Sequence, residues 1–355
     1  VKVLFNLLDA GVGGGQRVAF HVGRELVQRG HELGVVVPGP GPALAWFEEL
    51  GAKTAYIDVT SLNHPQTVAQ AARLARGYDM VYSHTSVPGV ILAGAAAAIS
   101  RRPSVVHQHI YPHFSTRAAQ RRVQEALFRA ALRRATVIAV ANHVADHLAR
   151  VGVPRERIAV IPNAVPLPLE NPAALETSDR VRIGLLGRLD PQKGAATFIE
   201  AAALAGHAQE ISFRIGVPRG AVACDGNDLG RVASEAGVEI VELDHGGEAF
   251  LKDLDVVAIP SRYEGSPLVM FEAMGLRKAI VASDIPGIRE VIAPDAGMLV
   301  SVDDAPAFAQ AFEELAADRS LRIRFGDRAR EVVEAEHDFN RMLDCVCSVI
   351  EGAAR

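Results

Sequence analysis

Two glutamates with seven residues between them, Glu264 and Glu272 in SRYEGSPLVMFEAM, bracket a strand end, a polar turn and a helix start. Asp255–Pro260 reads as the end of an apolar strand and Ser261–Gly265 as the turn. Pro267 reads as a residue just inside the first helical turn, where its missing N–H costs nothing. Free N–H groups near Leu268 and Val269, together with the positive end of the helix dipole, favour a phosphate there. Gly265, Ser266 and Pro267 lead into the same point. Ionised glutamates only accept hydrogen bonds, so beside a phosphate their natural partners are hydroxyls. The pair therefore suits a ligand that carries both phosphates and sugars.

Cations stand in a second strand-to-helix turn, RIGLLGRLDPQKGAATF, where the strand ends at Gly187 and a helix follows Gly194. Arg188 offers a bidentate fork and Lys193 a point charge, enough to neutralise a diphosphate. Preorganised cations at that place would also lower the barrier to expelling a nucleoside diphosphate. His107 and His109, in SVVHQHIYPH, alternate onto one face near another strand end; His113 lies beyond them and His84 closes MVYSH. Gly11–Gly15, GVGGG, follows the first strand and opens the first helix. A dinucleotide fingerprint needs its last glycine where Gln16 stands, and an acid after the second strand where VVVPG stands. NAD binding in this half is thus not expected, and what remains is a backbone without Cβ atoms that can bring the N–H groups of Gly14 and Gly15 close to a ligand.

These strings resemble the retaining glycosyltransferases of family 4 (glycosyl transferases group 1). The resemblance implies the GT-B fold: an α/β protein of two Rossmann-like doubly wound parallel-sheet domains facing a central cleft. It implies that Glu264 reaches the donor hexose, Glu272 holds the ribose hydroxyls, and Arg188 and Lys193 bind the donor phosphates. Gly14 and Gly15 would serve donor phosphate and acceptor, His109 would be the active-site histidine near the donor sugar, and His84 would lie toward the acceptor. No residue is assigned as nucleophile, no metal or other cofactor is expected, and same-face attack with retention is the implied course. The expected donor is a UDP-sugar, with a GDP-sugar next; the acceptor is a natural product, a lipid or a glycan. A nucleotide-sugar epimerase of the same fold and a non-catalytic nucleotide-sugar-binding protein stay open as alternatives. Ala141, Ala164 and Arg289 depart from the family's usual serine, glycine and proline, and GVPRGAVACDGND lacks its compact glycine turn near the nucleobase.

Behind these turns, apolar strands alternate with helix-length segments twice over, as parallel sheets covered on both faces require. The expected division is a domain over 1–165, a proline-rich linker over 166–179, a second domain over 180–336, and a final helix within 337–355 that crosses back to the first domain by resemblance. Leu268, Phe271 and Met274 are read as core. Length, 355 residues with 49% hydrophobic and 22% charged, fits a two-domain globular enzyme. A net charge of −5 speaks against nucleic-acid partners. Cys224, Cys345 and Cys347 have no metal-ligand or disulfide spacing, which points to a reducing cytoplasm. The opening strand VKVLFNLL is unlike a signal peptide, and the apolar run Val87–Ile99 is too short to span a bilayer. The segment from Arg117 to Arg134 carries six arginines against Glu125, with Arg117, Arg121, Arg129 and Arg133 on one helical stripe. Such a helix allows peripheral contact with an anionic membrane at the inner face, or with an acidic acceptor.

Overall fold

The computed structural model describes residues 1–58, 65–84, 86–112, 114–168, 180–205, 211–219, 229–244 and 246–355. His113, Cys224, residues 169–179 of the expected linker and residues 220–228 of the GVPRGAVACDGND segment lie outside the described residues. The chain divides into two compact units, Val1–Asn163 with Asn340–Arg355, and Ala164–Phe339. Ala164–Pro168 goes with the second unit rather than ending the first: a Cβ on Gly275 would meet Leu167 at 2.9 Å, and Arg330 donates to the Pro168 carbonyl at 3.3 Å.

In the first unit the order is β1 (Lys2–Leu7), α1 (Gly14–Gln28), β2 (Glu32–Val37), α2 (Leu44–Glu49), β3 (Lys53–Tyr56), α3 (Pro65–Ala75), β4 (Met80–His84), α4 (Val87–Ser100), β5 (Ser104–Gln108), α5 (Ala118–Leu132), β6 (Thr136–Ala139), α6 (Asn142–Arg150) and β7 (Ile158–Val160). All pairings are parallel, and the sheet runs β3-β2-β1-β4-β5-β6-β7. Strands β4 and β5 are buried at every residue, which explains their unbroken apolar character. Helix α1 is amphipathic, laying Val18, Ala19, Val22, Gly23 and Leu26 on the sheet.

The second unit continues with β8 (Val181–Leu186), α7 (Ala195–Leu204), β9 (Ile211–Pro218), α8 (Leu229–Glu235), β10 (Val238–Leu243), α9 (Glu248–Lys252), β11 (Val256–Ile259), α10 (Leu268–Gly275), β12 (Ala279–Ser283), α11 (Pro286–Arg289), β13 (Met298–Val300), α12 (Ala305–Ala317) and α13 (Arg319–Glu336). Its parallel sheet runs β10-β9-β8-β11-β12-β13. Phe198, Phe213, Phe308 and Phe312 knit its core, with ring centroids 5.7–6.0 Å apart.

The last helix, α14 (Phe339–Ala354), belongs to the first unit apart from its first residue. It buries Met342, Leu343, Val346, Cys347 and Ile350, while Asp344 pairs with Arg29 and Glu351 Oε1 lies 3.1 Å from His31 Nε2. Burial pushes the Cys347 thiol up to about 12, so it acts as a small apolar side chain. No helix among the described residues is long and apolar enough to cross a membrane.

Both sheets reverse their strand order at one place, between β1 and β4 in the first and between β8 and β11 in the second. Ligands of doubly wound sheets bind outside the carboxyl ends of the strands at such a reversal. The loops after β1, β8 and β11 hold the glycine turn, Arg188 with Lys193, and Glu264, while His84 ends β4 and His107 and His109 lie at the end of the neighbouring β5.

Candidate active site

In the second unit the loop after β8 and the loop after β11 are stitched together. Asp190 Oδ1 accepts the Lys193 N–H at 3.1 Å, closing the first loop, and the Gln192 carbonyl accepts the Arg262 N–H at 2.9 Å. Gln192 Nε2 also donates to the Tyr263 carbonyl at 3.2 Å. Gly194 caps α7 in the left-handed region, φ 69°, and a Cβ there would stand 2.0 Å from the Pro260 carbonyl oxygen. That close approach brings Lys193 Nζ to 2.7 Å from Glu264 Oε1, on which Ser261 Oγ also donates at 2.9 Å. Arg188, more exposed, pairs with Asp190 at 2.9 Å. The turn after β12 packs from the other side, where a Cβ on Gly287 would meet the Glu264 carbonyl at 2.4 Å.

Helix α10 starts at Leu268, one residue later than the sequence suggests, because Pro267 is extended (ψ 126°) and sits at the cap. Its first-turn N–H groups still point out of the loop that Gly265, Ser266 and Pro267 form. Leu268, Phe271 and Met274 are buried as core, and the face of α10 that is only half-buried carries Val269 and Glu272. Glu264, Lys193 and the start of α10 are thus gathered at one loop cluster, Arg188 pairs with Asp190 in the same loop, and Glu272 stands inside α10 in its second turn.

In the first unit Gly13 caps α1, so Gly14 and Gly15 are its first helical residues and their N–H groups have no intrahelical acceptor. Asp9 Oδ1 holds the loop by accepting from Gly11 N at 2.7 Å and from Gln16 Nε2 at 2.8 Å, so the residue that breaks the dinucleotide pattern braces the turn. His109 Cδ2 lies 3.9 Å from where a Gly15 Cβ would be. His107 and His109 stack, centroids 4.4 Å apart, and His84 joins them from β4 with its Nδ1 2.8 Å from His109 Nε2. Tyr82, unnoticed in the sequence, bridges His84 Nε2 at 2.6 Å and His107 Nδ1 at 2.7 Å. The three imidazoles have candidate ligand nitrogens within 4.8 Å of one another. Because His84 and His109 already hydrogen-bond to each other, the group is a hydrogen-bonded cluster, and no metal is assigned to it.

Residues 12–168 match the Glycosyltransferase Family 4 profile, and residues 180–318 match that of Glycosyl transferases group 1. The chain is a family-4 glycosyltransferase of the GT-B fold. The glycosyltransferase is 27% identical over 269 residues to the UDP-Gal:alpha-D-GlcNAc-diphosphoundecaprenol alpha-1,3-galactosyltransferase of Escherichia coli, covering 69% of this chain and 68% of that one. It is 27% identical over 182 residues to the alpha-D-kanosaminyltransferase of Streptomyces kanamyceticus, covering 48% and 45%. The chain thus spans about half to two thirds of the length of these curated relatives. Among solved structures, the Anabaena protein HepE in complex with UDP and glucose shares the fold with a TM-score of 0.82 at 19% identity, over 98% of this chain and 99% of that one.

Burial governs the electrostatics of the glycosyltransferase's histidines. His84 and His107 are pushed well below their usual pKa by burial first and neighbouring imidazoles second, and burial alone brings His109 to about 4. All three are therefore neutral near pH 7. A folded-state pKa below the unfolded value near 6.5 means that the unfolded chain binds more protons on acidification. Stability should be complete above about pH 6.5 and fall below it, by roughly 1 kcal/mol per pH unit for each of the two fully buried rings. Thermal melts from pH 7.5 to 5.0 should show this slope, and His107→Leu should flatten it; equal slopes in both proteins would refute the account.

Proposed function

We propose that this glycosyltransferase moves a hexose, with retention and without a resident metal, from a nucleoside diphosphate sugar to a natural-product, lipid or glycan acceptor. The supporting observation is the pairing of Lys193 with Glu264 beside the start of α10, at the reversal of the second sheet. Arg188, Lys193 and the amides of Leu268 and Val269 take the diphosphate, Glu272 the ribose hydroxyls and Glu264 the sugar hydroxyls. In the reaction the acceptor oxygen bonds to the anomeric carbon, the bond from that carbon to the diphosphate oxygen breaks, and the acceptor proton passes to the departing phosphate on the same face. Gly14 and Gly15 present N–H groups to the ligand, and His109 orients the reacting sugar.

A uridine donor is preferred over a guanosine one. The E. coli relative is named for UDP-Gal, and HepE was solved with UDP and with UDP-glucose. Glu272→Ala should weaken UDP binding about 10-fold or more, whereas Glu264→Ala should cut turnover more than UDP affinity. Calorimetry with UDP and release of UDP from UDP-sugars measure the two; wild-type activity in both variants would refute the assignment. An epimer formed without acceptor would point instead to an epimerase, and tight UDP binding with no donor cleavage to a binding protein.

Helix α5 supports a second contact, with an anionic membrane at the cytoplasmic face. Val123 and Leu127 stand 59% and 44% exposed one turn apart, flanked by Arg117, Arg121, Arg122, Arg129, Arg133 and Arg134. Phe128 and Leu132, rather than these two, anchor the helix. Vesicles containing phosphatidylglycerol should sediment the protein, and Val123→Asp with Leu127→Asp should release it; equal sedimentation would remove the membrane from the reading.

A further inference from the structure

Four buried or half-buried groups in the first unit form one unbranched chain, His107 to Tyr82 to His84 to His109, with links of 2.7, 2.6 and 2.8 Å. The direction of its protons follows from its buried end. His107 Nε2 is buried without a hydrogen-bond partner, and a buried unpaired acceptor is tolerated more readily than a buried unpaired N–H, so Nε2 is the bare lone pair and Nδ1 carries the hydrogen. His107 Nδ1–H then donates to the Tyr82 oxygen, the Tyr82 O–H to His84 Nε2, and His84 Nδ1–H to His109 Nε2, which leaves the His109 hydrogen on Nδ1.

We propose that Tyr82 is a positioning residue: by polarising His84 toward His109 it holds the proton of His109 on Nδ1, so that His109 meets the reacting sugar as a hydrogen-bond donor and not as a base. This rests on the reading that His109 serves the transfer reaction. The residue does not touch substrate; it acts through His84. A phenolic hydroxyl fully buried in mid-sheet connects two imidazoles, His84 on its own strand and His107 on the neighbouring one.

The test is Tyr82→Phe in the full chain. Its turnover, followed as UDP release from whichever of UDP-glucose, UDP-galactose and UDP-N-acetylglucosamine the wild type cleaves fastest, should fall about 10-fold with donor KM within about 2-fold. Nitrogen-15 spectra of histidine-labelled protein should show His109 with hydrogen on Nδ1 in the wild type and a mixture of tautomers in the variant. His84→Leu, which removes both links, should cost at least as much turnover as Tyr82→Phe. A Tyr82→Phe protein with unchanged His109 tautomer, or with lowered melting temperature but wild-type kcat, would overturn the proposal, as would wild-type kcat in His84→Leu. His109→Ala separates the two readings: full turnover there would remove His109 from the reaction, whereas lost turnover beside an active Tyr82→Phe would remove only the chain.

Discussion

Lys193→Met should lower kcat by roughly 10²–10³-fold, the usual cost of deleting one preorganised charge that stabilises a developing anion. Two consequences of the same substitution must be kept apart. The ammonium lies 2.7 Å from Glu264 Oε1, and the Glu264 side chain is only 7% exposed, so the substitution takes the Lys193 cation from a buried carboxylate that keeps Ser261 Oγ as a donor. Breaking a buried pair from one side costs several kcal/mol; with 21% of the lysine side chain still in solvent, about 2 kcal/mol is expected here. Glu264→Gln in the Lys193→Met background removes the buried charge and should recover most of the melting temperature. It should recover none of the turnover, because the diphosphate still lacks its cation and the sugar its glutamate. A Lys193→Met protein that lost stability but kept wild-type kcat would show that Lys193 acts only as a partner for Glu264.

The loops that carry chemistry were legible because glycine, proline and charge punctuate them, and the strands because burial on both faces writes an unbroken apolar run. The two parallel sheets and the family were read correctly on that basis. Strand β3, KTAY, carries no mark in the sequence: at the sheet edge its residues are exposed or half-buried, so neither run nor alternation shows it. Helix α9, five residues long, is too short for a period to show. Helix α3 is weakly marked because its buried face is Ala71, Ala72 and Ala75, and alanine gives a weak amphipathic signal. The Lys193–Glu264 pair and the Tyr82 chain were invisible for a different reason. Each joins groups brought together by strand order, β8 beside β11 and β4 beside β5, and pairing across a sheet is not written locally. Period-two alternation does place Tyr82 and His84 on one face of MVYSH, the one signal that could have exposed the bridge.

Gly194→Ala should be the most damaging single methyl in the second unit. Its φ of 69° lies in the left-handed region, which costs a residue with a Cβ roughly 1–2 kcal/mol before any contact is considered. The added Cβ would then stand 2.0 Å from the Pro260 carbonyl oxygen and 2.8 Å from its carbon. Neither can yield cheaply, because Pro260 directly follows β11 and Gly194 opens α7. Relief requires the loop after β8 to part from the loop after β11, and those loops carry Lys193 and Glu264. A loss of 3 kcal/mol or more is expected, which at roughly 2–4 °C per kcal/mol for a unit of this size is a fall of about 10 °C in Tm. UDP affinity should fall with it, since the cation and the carboxylate would no longer share one position. Gly230→Ala is the control: a Cβ there meets nothing within 4 Å, its backbone is helical, and the substitution should leave Tm unchanged or slightly raised. Similar melting curves for the two variants would mean that the loops do not depend on that contact, and the placement of Lys193 against Glu264 would need another cause.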